Sequence, residues 1–224
     1  MKEIPINKRF ALGWYNEGVT HLNIREYEEA MGFFEKALAI IPDHPDFLIG
    51  KGEVLFAIGN YAEAYRIFAK VLEKEPENVR ALLRAGTALM QLNRYAEAVA
   101  LFEQGIAVND YNGELWLGKG IAQFHLNLRE EATASLRKAG RYKPNQPAIW
   151  YYLSKIETSD EAAVNHLLRG YRLDATNLDI LLDLIERLLK LQRNSEAFEL
   201  CKKASVINPE NPRLRLLTDR CGMG

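Results

Sequence analysis

Cysteine is nearly absent from this chain: Cys201 and Cys221 are the only two among 224 residues. Two thiols give no disulfide framework, which excludes the stapled secreted scaffolds and favours a reducing interior. An excess of either charge is missing as well. Lys and Arg number 29 against 30 Asp and Glu, a formal net charge of −1, and so even a balance argues against a nucleic-acid or membrane-surface protein. No apolar run is long enough to span a bilayer, and the N-terminal MKEIPINKRFALGWY lacks the apolar core of a signal peptide. Cytoplasmic placement is the resulting expectation, with neither nucleic acid nor membrane as a partner. The histidines are His21, His44, His125 and His166. No two of them lie four residues apart and none sits in a Cys/His cluster, so no metal site and no cofactor is expected.

What is present is a repeat. Tyr27-Glu-Glu-Ala30, Tyr61-Ala-Glu-Ala64 and Tyr95-Ala-Glu-Ala98 place their tyrosines at intervals of 34 residues. Extending that frame gives units 11–44, 45–78, 79–112 and 113–146, a shortened unit 147–177 and a full unit 178–211. A lead segment, 1–10, precedes them, and 212–224 reads as a C-terminal capping helix and tail.

Each column of the frame has a physical job. Gly18, Gly52, Gly86, Gly120 and Ser154 form a small column with Ile185 as its exception, and Ala30, Ala64, Ala98, Ala132, Ala163 and Ala197 form another. Bare backbone at such points lets two helices approach closely. Trp14, Leu48, Leu82, Trp116, Trp150 and Leu181 alternate with them, as do Phe34, Phe68, Phe102, Leu136, Leu167 and Cys201. Apolar spacing of three and four within a unit makes both segments helical. Pro42, Pro76, Pro144 and Pro209 stop the second helix, and Pro45, Pro147 and Pro212 open the next first helix. Each unit is therefore expected to be a helix, a tight turn and a helix, with Thr158-Ser-Asp-Glu161 as a capping box in the short unit.

These columns resemble the tetratricopeptide repeat (TPR) over residues 11–211. The resemblance implies an all-α fold, a right-handed α-solenoid superhelix of about six stacked antiparallel helix pairs in a single domain. It also implies that the first helix of each pair faces a concave groove through its second, fifth, sixth, ninth and twelfth positions. Carried onto this sequence, the peptide-binding groove comprises Tyr15, Asn16, Ile49, Gly50, Arg80, Leu83, Arg84, Leu117, Phe124, Tyr151 and Tyr152. Tyr15, Ile49, Leu83, Leu117 and Tyr151 make an apolar track, Gly50 and Gly118 leave gaps for a ligand, and Arg80 with Arg84 can face a carboxylate. Of the five basic and asparagine positions with which family members clamp chaperone tails, only Arg80 and Arg84 are filled, so chaperone-tail binding is not expected.

No enzyme signature survives inspection. Gly113-Glu-Leu-Trp-Leu-Gly118-Lys119 matches most of a P-loop but is followed by Gly120 instead of Ser or Thr, and its glycines belong to repeat columns. Ser135-Leu-Arg-Lys138 has no companion motifs. Arg137, Lys138, Arg141 and Lys143 suit a solvated helix C-terminus, with an acidic partner on that outer face as the alternative. The function implied is a non-catalytic adaptor or scaffold, binding an apolar and acidic peptide segment of a protein partner. Self-association into a homo-oligomer through terminal repeats is the alternative.

Overall fold

A computed structural model of the protein describes residues 6–221, and within them there are helices and turns but no strand. α1 (Ile6–Asn23) pairs with α2 (Tyr27–Ile40), α3 (Pro45–Ala57) with α4 (Tyr61–Lys74), and α5 (Val79–Gln91) with α6 (Tyr95–Val108). α7 (Gly113–His125) and α8 (Arg129–Tyr142) follow, then α9 (Pro147–Ile156) and α10 (Asp160–Leu173), α11 (Leu178–Lys190) and α12 (Asn194–Ile207), and last α13 (Pro212–Arg220). Of the lead segment expected over 1–10, residues 1–5 lie outside the described residues, and 6–10 are already the first turns of α1. Residues 222–224 of the expected tail also lie outside them.

Contacts gather into two compact units, one up to Ala122 and one from Gln123. Each unit is an all-α stack of helix pairs. In the first, each helix from α1 to α5 packs on its successor, and α1 also meets α3 as α3 meets α5. In the second, α8 to α12 pack in the same succession, and α13 closes on both α11 and α12.

Local chemistry sets the ends of these helices. Pro45, Pro147 and Pro212 each occupy the first turn of the helix they open, where a missing N–H costs nothing. Inside each full pair the fifteenth residue of the unit has a left-handed backbone: Arg25, Gly59, Asn93, Asn127 and Gln192, with φ of 58–84°. That conformation sends the next N–H back to a carbonyl of the preceding helix, as Asn60 N–H donates to Leu55 O at 2.9 Å and Arg94 N–H to Leu89 O at 2.9 Å. The shortened unit has no such residue. Its α10 is capped by Ser159, whose side chain accepts the Ala162 N–H at 3.4 Å, so the cap sits one residue later than the Thr158-to-Glu161 box expected from sequence.

The small and aromatic columns interlock. A Cβ on Gly18 would come within 2.8 Å of the Phe34 ring, one on Gly52 within 2.4 Å of Phe68, and one on Gly86 within 2.6 Å of Phe102. Phe34, Phe68 and Phe102 are consequently fully buried, each worth about 1.5–3 kcal/mol of transfer free energy. In the last pair the sizes are exchanged: Ile185 stands in the glycine column, Cys201 in the phenylalanine column, and both are buried in one cluster.

Candidate functional site

In the first unit, α1, α3 and α5 are the first helices of their pairs and share a face. Glu53 on α3 stands at the centre of it. Its Oε2 accepts from Arg80 Nη2 at 3.0 Å and its Oε1 from Arg84 Nε at 2.8 Å, both arginines projecting from α5 one turn apart. Arg80 Nη1 also lies 3.5 Å from Asp46 Oδ1. Burial opposes the Arg80 charge, but the Tyr15 hydroxyl and Glu53 more than offset it, and the guanidinium pKa is held above its ordinary value. Beside this network opens a pocket of about 260 Å³ lined by Leu22, Asn23, Glu53, Phe56, Arg84 and Thr87. The Arg80 and Arg84 side chains are 40% and 45% exposed against 16% for Glu53, so the cations are more open to solvent than the carboxylate they share.

Several expected groove residues occupy this face. Tyr15 is half-buried, stacked on Phe47 with ring centroids 5.2 Å apart and tilted against Phe34 at 5.9 Å. Asn16 is exposed on α1, and Leu83 is half-buried against the cluster around Leu89 and Phe102. Leu117 is half-buried on α7. Two others leave the lining. Ile49 is fully buried, because its side chain is taken up between α3 and its neighbours. Gly50 is buried too, and the gap it was expected to offer a ligand is filled by Phe34, whose ring lies 2.5 Å from where a Cβ would be. Gly118 repeats the arrangement with Phe102 at 2.6 Å. Phe34 therefore rests between Gly18 of α1 and Gly50 of α3, and Phe102 between Gly86 of α5 and Gly118 of α7.

In the second unit Phe124, Tyr151 and Tyr152 do come together. Tyr152 meets Phe124 edge-on at 5.3 Å and Tyr151 at 5.5 Å, while Tyr151 also packs on the α11–α12 core. Next to them is a second ion network. Asp183, 7% exposed, pairs with Lys155 and accepts from Arg213 Nη2 at 2.7 Å; the same Nη2 reaches Glu186 Oε2 at 2.5 Å. Arg213, foremost, holds the Glu186 carboxyl below its usual pKa.

Glu53, Lys155, Asp183 and Glu186 hold groove positions in the repeat frame but stand outside the set expected to bind, and so does Arg213. The signal was available: the ninth residue of one unit and the second of the next carry opposite charges at Glu53/Arg80 and again at Glu186/Arg213. The P-loop-like residues Gly113–Gly120 lie wholly inside α7, with no loop to cradle phosphate. Ser135, buried, donates from Oγ to Gln123 Oε1 at 2.6 Å, a satisfied core pair. Among the described residues no three His, Cys, Asp or Glu side chains are grouped to hold a metal, and no helix is long and apolar enough to cross a membrane.

The sequence profile of the Tetratricopeptide repeat family matches residues 25–71, 55–110 and 89–156, more than half of the chain. Comparison with curated proteins gives no match. Among solved structures, a chain of the APC/C hetero-tetramer Cut9–Hcn1 is similar with a TM-score of 0.83 at 19% identity, over 94% of this chain. This protein spans 42% of that chain's length. The pilF protein of Pseudomonas aeruginosa gives a TM-score of 0.83 at 17% identity, over 95% of this chain and 98% of its own. YrrB, a TPR protein with an unusual peptide-binding site, gives 0.62 at 19% identity, over 83% of this chain and 97% of its own.

Proposed function

This chain belongs to the tetratricopeptide-repeat family, and we propose that it is a non-catalytic scaffold whose α1–α3–α5 face binds an acidic, partly apolar segment of a partner protein. One observation carries this reading: two partly exposed arginines converge on one more sheltered carboxylate beside a pocket that Leu22 and Phe56 help to line. Arg84 contacts Glu53 through Nε alone among the described residues, and both arginines have donors to offer a second carboxylate. Leu22 and Phe56 supply the apolar contact. Apolar burial then gives most of the affinity, and the arginines select the register. YrrB, similar in fold, carries a peptide-binding site, which supports the same use of the scaffold here.

The test is fluorescence anisotropy with a labelled peptide alternating leucine and glutamate. Binding on the order of micromolar, weakening as salt is raised, is expected. Arg80→Ala with Arg84→Ala should abolish the salt dependence, while changing Arg137 and Lys138 should leave binding intact. Loss on the Arg137/Lys138 change with none on the Arg80/Arg84 change would move the site off this face. Self-association is the second reading, favoured by Val206 and Leu216, which are 87% and 67% exposed on α12 and α13. Sedimentation across a concentration series separates the two.

A further inference from the structure

The two cysteines lie 20 residues apart in sequence, yet their sulfurs are 3.2 Å from each other. Cys201 is fully buried on α12, in the cluster that α13 joins through Leu214 and Leu217. Cys221 is half-buried directly after α13, where its N–H donates to Leu217 O at 3.0 Å and to Thr218 O at 3.1 Å. The backbone at the end of α13 thus aims one thiol at the other. Going from 3.2 Å to a bonded sulfur pair at about 2.05 Å takes roughly 1 Å of movement. We propose that Cys201 and Cys221 form a dithiol site that a small disulfide oxidant, of the glutathione disulfide class, converts to an intramolecular disulfide stapling α13 to α12.

The order of events follows from access. Cys221, the more accessible sulfur, deprotonates and attacks one sulfur of the oxidant. The oxidant's S–S bond breaks, a Cys221–glutathione mixed disulfide forms, and one glutathione leaves as thiolate and takes up a proton. Burial, and next the neighbouring Cys221, push the Cys201 thiol up to about 12, so it is a poor first nucleophile. Once Cys221 is a neutral mixed disulfide its charge no longer opposes ionisation of Cys201. Cys201 then loses its proton, attacks the Cys221 sulfur and expels the second glutathione. Two protein thiols are oxidised and one oxidant disulfide is reduced to two thiols.

The staple would bear on the second ion network. Arg213 lies on α13 and bonds Asp183 and Glu186 of α11, so fixing α13 fixes that arginine. The closed loop includes all of α13, and constraining it raises the cost of opening the helix.

The experiment treats the full chain with glutathione disulfide or with dithiothreitol, then alkylates it, and reads mass and hydrogen exchange. The expected result is a monomer two hydrogens lighter, with no alkylatable thiol, restored by dithiothreitol. Exchange over residues 212–221 should slow by about tenfold on oxidation. Cys221→Ser should remove both effects and leave one alkylatable thiol. A persistent glutathione adduct, a covalent dimer, or two thiols that stay alkylatable would each overturn the proposal, as would equal slowing of exchange in Cys221→Ser. None of these readouts depends on peptide binding.

Discussion

The unit up to Ala122 and the unit from Gln123 use the same positions of the repeat for opposite electrostatic ends. In the first, one sheltered carboxylate, Glu53, faces two partly exposed cations, Arg80 and Arg84. In the second, the sixth position that holds Arg84 holds Asp183 instead, and that carboxylate is buried beneath Lys155 and Arg213. Packing differs in the same spirit. Five glycines meet three phenylalanines in the first unit, whereas the second sets Ile185 with Cys201. The repeat therefore specifies positions and volumes, and the residue chosen at each decides whether a face offers charge to a partner or consumes it internally.

The largest effect that would break this comparison is expected from Phe102→Ala. The ring lies between Gly86 and Gly118, and neither neighbour has a side chain to refill the space. Denaturant unfolding should show a loss of about 3–5 kcal/mol. Gly86→Leu should cost about 1–3 kcal/mol by driving a side chain into the same ring. Combining Gly86→Ile with Phe102→Cys imitates the second unit and should cost less than the two changes added, a coupling measurable in a double-mutant cycle.

The ion networks should separate next. Asp183→Ala leaves Lys155 and Arg213 facing each other beside the core, and about 2 kcal/mol is expected. This is below the range for a fully buried pair because both cations keep contact with water. Glu53→Ala should cost about 1 kcal/mol or less, since the Glu53 side chain keeps 16% exposure against 7% for Asp183. Equal costs in thermal melts would show that the two networks do not differ as described.

Glu53→Gln sharpens the functional side of the contrast. Removing the internal competitor while keeping a hydrogen-bond acceptor should tighten binding of the leucine–glutamate peptide by about threefold to tenfold. A weaker complex would mean that Glu53 positions the arginines and does not compete for them.

The smallest expected effect concerns Asp43, in the turn between α2 and α3. Hydrogen bonds first from Lys70 and then from Lys74 lower its pKa from 3.8 to about 2. A carboxyl lowered on folding stabilises the protein above its unfolded pKa, and that contribution is lost as pH falls from 3.8 through about 2. Asp43→Asn should flatten the pH dependence of the melting temperature within that window and leave it unchanged near neutrality. A slope identical to the parent chain would remove Asp43 from the acid response.

The 34-residue interval, the helix pairs and the proline stops were legible in the sequence because each rests on local chemistry: apolar spacing, a missing N–H, a bare Cα. Pro45, Pro147 and Pro212 open their helices where the frame places them. Asn78, Asn177 and Asn211 could have been read as caps by the same logic, since each accepts the N–H three residues on. What tertiary structure alone decided is which special residues meet. Gly50 looked like an opening for a ligand, and Phe34 from the preceding pair fills it. Arg80 and Arg84 looked like a pair awaiting a carboxylate, and Glu53, about 30 residues earlier, already supplies one. Cys201 and Cys221 looked like unrelated thiols until α13 folded back onto α12. Periodicity fixes a residue's place within its own helix; contact across a helix pair also depends on the volumes of its neighbours, and those are set only when the helices pack.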